Sequence, residues 1–253
     1  MLVIRERIDR VEVLTLNRPE AANSLNPPLM AELGAALGEI LEDADVRAVV
    51  ITGAGERVFC AGMDLAALGD WSAAGDQPGG EVMTAFMEGS FPRPLIAAVN
   101  GAAVGGGLEL MLGCDLTVAA EHARFGLPEV KRGLYPAGGG TLLSTRVPLA
   151  LALEMGMTGR LIDSHRAVAV GLVNQVVPAD ELLGAATALA GEIAANGPLA
   201  VQLTKRLMRD TVTVGPHAGR ATAEQADAVL RSEDAAEGTA AFMERLSPRF
   251  VGR

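Results

Sequence analysis

Glu109 lies in Gly105-Gly106-Gly107-Leu108-Glu109-Leu110-Met111-Leu112, an ionisable group inside an apolar run that a core would claim. Burial of a carboxylate is costly and raises its pKa, so the position needs a reason. That reason is either acid/base chemistry or a structural bond to backbone or to a buried arginine. Glu129 follows Phe125-Gly126-Leu127-Pro128 and precedes a second glycine-rich loop, Gly133 to Thr141. Alone, an acid just after proline reads as a first-turn helix residue facing the helix dipole. Two carboxylates, each flanked by glycine-rich backbone, suit general acid/base work in which one handles a water proton and the other a carbon-bound proton.

The glycines before Glu109 allow backbone to approach a ligand and point free N–H groups at developing negative charge, although a tight strand-to-helix crossing would use the same residues. Phe59-Cys60-Ala61-Gly62-Met63-Asp64-Leu65 follows a buried apolar run and a glycine turn, where α/β proteins place ligand-contacting backbone; an ordinary loop-to-helix junction is the alternative. Other chemistries lack their signatures: there is no GxxxxGK[ST], GxGxxG after a strand, HExxH or GxSxG. His122, His165 and His217 show no metal-ligand spacing, and Cys60 has no evident histidine partner. Cofactor-free acid/base chemistry remains.

Short apolar runs alternate with helical patterns along the first three quarters of the chain, which places these residues in an α/β fold. Val3 to Ile8 and Val11 to Leu16 read as a hairpin, and Asn26-Pro27-Pro28 starts a helix running to about Asp43. Strands are expected at Val46 to Thr52, Leu95 to Val99, Asp115 to Ala119 and Val173 to Val177, with a helix from Gly106 to Leu112. After Pro178 the pattern is helical, punctuated by Pro198, Pro216 and Pro248. We place a core at residues 1–195 and a helical tail at 196–253. The segment 69–80 reads as a loop, and Trp71 within it is either a lid over an apolar ligand or a residue packed on the neighbouring helix.

Apolar residues make up 49% of the 253 residues and aromatics 3%, which predicts closely packed elements lined by Ala, Val, Leu and Met. Twenty-one basic against 31 acidic residues give a net charge of −10, which argues against nucleic acid or an anionic membrane as partner. Two cysteines without CxxC spacing read as reduced thiols of a cytoplasmic protein. The apolar stretch from Leu95 to Ala120 is broken by Asn100, Glu109 and Asp115 and is not expected to span a membrane.

The chain resembles the enoyl-CoA hydratase/isomerase (crotonase) superfamily over nearly its whole length. The resemblance is carried by Asn17-Arg18-Pro19 with Asn23-Ser24-Leu25-Asn26, by Phe59 to Leu65, and by Val99-Asn100-Gly101 through Gly105-Gly106-Gly107-Leu108-Glu109. It continues in Phe125-Gly126-Leu127-Pro128-Glu129, Pro136-Ala137-Gly138-Gly139-Gly140, Thr158-Gly159-Arg160, Gly171-Leu172-Val173, and Glu237-Gly238 with Ala241-Phe242. It implies a crotonase (ClpP-like) spiral of ββα units with a C-terminal helical region that trimerises, giving a homotrimer or a hexamer built as a dimer of trimers. It further implies an acyl-CoA substrate, no metal and no separate cofactor, coenzyme A being part of the substrate.

Carried over by position, the N–H groups of Met63 and Gly106 form an oxyanion hole for the thioester carbonyl. Glu109 activates water for attack at C3, Glu129 supplies the proton to C2, and the Ala137 N–H helps hold the water. Backbone near Ala22, Ser24, Ala61, Asp64 and Leu65 binds CoA. Members often carry Lys or Arg at the position of Ala22; here the phosphates are left to Arg57, or to Lys205 and Arg206, each otherwise an ordinary solvated charge. Lys131 and Arg132 read as surface residues. The resemblance implies an enoyl-CoA hydratase, with an enoyl-CoA isomerase or a carnitinyl-CoA-type dehydratase as the alternative chemistry and a non-catalytic acyl-CoA-binding protein as the alternative class. Acyl specificity would lie with the neighbouring protomers and a lid over residues 66–90.

Overall fold

Parallel strands covered on both faces must be apolar on both faces, and that requirement organises this chain. The computed structural model describes residues 1–67, 79–215 and 217–253. Trp71 and positions 69–78 of the expected loop lie outside the described residues; residues 80–87, within the span 66–90 expected as a lid, form a helix.

The large sheet has six strands in the order β1-β2-β3-β5-β7-β10: β1 (Val3–Ile8), β2 (Val11–Leu16), β3 (Ala48–Gly53), β5 (Leu95–Val99), β7 (Leu116–Ala120) and β10 (Gln175–Val177). β1 and β2 form the expected antiparallel hairpin, and every other pairing in this sheet is parallel. Along β3, Val49 and Ile51 enter one core while Ala48 and Val50 enter the other; Leu95, Ala97 and Val99 of β5 alternate in the same way with Ile96 and Ala98. The second core is closed by the helix Leu182–Ala194, which meets the sheet through Ala186, Ala190 and Ala194 at helical spacing. These small side chains let helix and sheet approach closely, so few aromatics are needed.

The first core lies under the helix Pro27–Glu42, whose Leu29, Leu33, Leu37 and Ile40 are fully buried. Asn26 caps it, its side chain accepting from the Leu29 N–H at 3.0 Å. On the far side of this core stands a smaller sheet, ordered β4-β6-β8-β9: β4 (Val58–Cys60), β6 (Ala102–Val104), β8 (Arg124–Gly126) and β9 (Ile162–Asp163). β4, β6 and β8 are parallel, so their carboxyl ends open at one edge, the edge where open α/β sheets bind ligands.

Beyond the core come the helices Pro198–Thr213, Ala223–Leu230 and Glu233–Glu244. Lys205 Nζ and Arg209 tie the first of them to Asp115, at 2.6 and 2.8 Å. Arg209 and Arg146 also donate to the Cys114 carbonyl, and Arg146 to Leu112, so cations converge where the helix Gly106–Gly113 ends. No helix among the described residues is long and apolar enough to cross a membrane.

Candidate active site

Each of the three parallel strands of the small sheet delivers one component to the same edge. β4 runs into Ala61-Gly62-Met63, β6 into Gly105 and the helix Gly106–Gly113, and β8 into Leu127-Pro128-Glu129. The turns after β4 and β6 need positive φ, met by Gly62 at 92° and Gly105 at 58°. A Cβ on Gly62 would stand 2.9 Å from the Gly106 nitrogen, and one on Gly106 would stand 3.4 Å from the Met63 nitrogen, so the two amides are close neighbours.

Met63 forms a single parallel bridge with Leu25. The Leu25 N–H donates to Gly62 O and the Asp64 N–H to Leu25 O, both at 2.8 Å. In that pattern the N–H of the bridged residue itself faces the other way. Gly106 opens its helix, where the first N–H has no partner in the preceding turn. Among the described residues neither N–H has an acceptor.

Glu109 is 6% exposed. Its Oε1 accepts the N–H groups of Gly138 and Gly140 at 2.8 and 2.9 Å, while Oε2 has no hydrogen-bond partner among the described residues. A Cβ on Gly138 would come within 2.6 Å of that Oε2, so the cradle requires glycine. Burial pushes the Glu109 carboxyl above its usual range and the neighbouring Glu129 pushes it further; the two backbone donors oppose the rise.

Glu129 heads a short 3-10 turn beyond Pro128, so the first-turn reading of its position describes its local structure correctly. Its Oε1 lies against Gly105, 3.2 Å from where a Cβ would be, and its Oε2 is buried without a partner among the described residues. Burial raises this carboxyl too, opposed by its own N–H and by Arg132. Met87, from the helix Gly80–Met87, brings its methyl group against the Gly138 position and closes one side. The site therefore combines two main-chain donors, a cradled carboxylate and an orphaned carboxyl.

The other expected residues fall in two groups. Ala22, Ser24, Ala61, Asp64 and Leu65 do lie together: Ala61 N donates to Ala22 O at 3.1 Å, and Arg18 bridges Ser24 and Asp64. Ala137 is exposed on the loop that holds Glu109. Lys205 is not a solvated charge: it is enclosed by Asp115 and the Arg93 carbonyl, whereas Arg57 and Arg206 are exposed. Lys131 and Arg132 are exposed as expected. The sequence reading gave no role to Gly138, Gly140 or Met87; the glycine run 138–140 was the signal for the first two.

The sequence model of the Enoyl-CoA hydratase/isomerase family matches residues 6–253. The chain is 40% identical over 253 residues to the 2,3-dehydroadipyl-CoA hydratase of Escherichia coli K12, covering 99% of each. It is 39% identical over 251 residues to the carnitinyl-CoA dehydratase of Proteus mirabilis HI4320, covering 95% of this chain and 94% of that one. The structure of the enoyl-CoA hydratase from Bacillus anthracis superposes with a TM-score of 0.92 at 36% identity, over 100% of both chains. With its two sheets and C-terminal helices arranged in the crotonase fold, the chain belongs to the enoyl-CoA hydratase/isomerase family.

Proposed function

We propose that the protein is an enoyl-CoA hydratase, adding water across the 2,3 double bond of an enoyl-CoA thioester. The observation that carries this reading is the pairing of the buried Glu109 carboxyl with the half-buried Glu129 carboxyl, neither of them ion-paired with a cation among the described residues, beside two main-chain amides that have no acceptor among those residues. The N–H groups of Met63 and Gly106 receive the thioester oxygen, whose charge grows as the enolate forms; fixed donors favour that state over the ground state. The two carboxyls divide the proton transfers by their surroundings. Glu109, with two N–H donors on Oε1, holds its charge better and takes the proton from water as it attacks C3. Glu129, with a buried and unpartnered Oε2, is the better proton carrier and protonates C2. The exposed Ala137 N–H holds the water, and the backbone around Ala22, Ser24, Ala61, Asp64 and Leu65 carries the CoA moiety.

Residues 196–253 form the helical region that completes a homotrimer or a hexamer in this proposal. Exposed apolar side chains support it: Leu149, Leu153 and Met157 run along one helix face, and Phe242, Met243 and Leu246 stand out from the tail. The dehydration of a carnitinyl-type thioester is the same chemistry run backwards, and the dehydratase relative keeps it as a second reading. A double-bond isomerase needs only one carboxyl. Incubation of a short trans-2-enoyl-CoA in heavy-oxygen water separates these: hydration places the label in the 3-hydroxyacyl product. Isomerised product without label would replace the reading, and tight acyl-CoA binding without turnover across chain lengths would mark a non-catalytic binder.

A further inference from the structure

The two amides of the site are held by unequal means. The Gly106 N–H is fixed by the end of β6 and the start of a buried helix. The Met63 N–H lies in a stretch with one bridge to Leu25, and the Met63 side chain is exposed. Something further must set its direction.

We propose that Arg18 is the positioning residue for the Met63 amide; the inference rests on the oxyanion-hole reading above. Arg18 Nη1 donates to Ser24 O at 2.6 Å, and Nη2 reaches Asp64 Oδ2 at 3.1 Å. The Ser24–Leu25 peptide is thus held at both ends, its oxygen by Arg18 and its N–H by Gly62 O. Asp64 is held at its N–H by Leu25 O and at its carboxylate by Arg18. One guanidinium closes a ring around the bridge that aims the Met63 N–H.

The clamp is anchored below. Asn23 is wholly buried; its Oδ1 accepts the Arg18 N–H at 3.0 Å, and its Nδ2 donates to Ala54 O and Val58 O. The side chains of Arg18 and Asp64 are 14% and 20% exposed, so the pair is screened less than a surface ion pair. A planar fork spans both acceptors at once, which a lysine ammonium at the end of a flexible stem does not.

The test uses the full chain with Arg18→Met, Arg18→Lys and Asp64→Asn. Small misplacements of a catalytic group cost roughly 100-fold in rate, and kcat on a short enoyl-CoA is expected to fall roughly 10- to 100-fold in each variant, well beyond any weakening of the Kd for butyryl-CoA, whose CoA moiety shares the backbone at Ser24 and Asp64. The absorption of a bound cinnamoyl-type CoA thioester reports carbonyl polarisation directly: its red shift should shrink in all three, and Arg18→Lys should not restore it. An unchanged red shift and kcat would overturn the proposal, as would a weakened Kd at constant kcat, which makes Arg18 a CoA ligand. If Arg18→Met fails to fold, Asp64→Asn decides alone. Failure of the underlying reading looks different, because the unsubstituted protein would then bind the thioester without any red shift.

Discussion

Glu12 and Glu109 are buried to nearly the same degree, 4% and 6% exposed, yet their surroundings are opposite. Glu12, on β2, receives Arg5 Nε at 2.8 Å and Arg7 Nε at 2.7 Å, one on each oxygen, and these arginines extend to Glu39 and Asp43. Glu109, at the mouth of the small sheet, receives two backbone N–H groups on one oxygen, with a second carboxyl nearby instead of a cation. A buried carboxylate compensated by arginines is a tie between elements. One compensated only by neutral amides keeps a labile proton equilibrium at the cost of stability.

The sharpest way to break this comparison is to neutralise the carboxyls of the site. Glu109→Gln and Glu129→Gln should each lower kcat on a short enoyl-CoA by about 10³-fold while substrate still binds. Near-normal turnover in either would remove that residue from the chemistry. The same substitution at Glu12 should leave turnover per folded molecule unchanged and instead lower stability. Stranding a charge in a fully buried pair costs about 3–5 kcal/mol; with both arginines about a third exposed, a loss of about 2 kcal/mol is expected after screening, read as a lower urea midpoint. A Glu12→Gln chain as stable as the original would erase the contrast.

The smallest effect tests the stability cost itself. The Glu109 pKa is raised in the folded state, so its contribution to stability is fully present below the unfolded pKa and is lost as pH rises through the folded one. Glu109→Gln keeps an oxygen for Gly138 and Gly140 but removes the ionisation. Its Tm should therefore exceed that of the unsubstituted chain by about 2–4 °C at mildly alkaline pH, and the gain should vanish towards about pH 4. A gain that grows on acidification would reverse the sign of the argument.

Most of the large sheet was readable in the sequence: Leu95–Val99 is apolar on both faces, and the first hairpin showed in its alternating runs on either side of Asp9-Arg10, so both appear with the expected bounds. The small sheet was not. Its strands span two or three residues, too short for any alternation to register, although they position the whole site. Glu109 stood out against its apolar neighbours, and Glu129 became visible through the glycines and proline around it. Gly138 and Gly140 could not be assigned as the donors to Glu109, because a contact across some 30 residues depends on the loop path. The commitment of Lys205 to Asp115 is a tertiary pairing across the core and tail, likewise absent from local pattern.

The parallel order β4, β6, β8 also has a consequence for synthesis on the ribosome. Each strand enters the small sheet in the sequence in which it is made, first the Met63 amide, then Gly106 with Glu109, then Glu129, and finally the loop that cradles Glu109. On the proposed reading, a chain that ended before residue 129 would hold the two amides for the thioester oxygen and lack the carboxyl that moves a proton onto carbon. Partly made copies would on that reading be inert towards an enoyl-CoA rather than half-active, and because domains generally fold as units, the site would be completed only with the whole core.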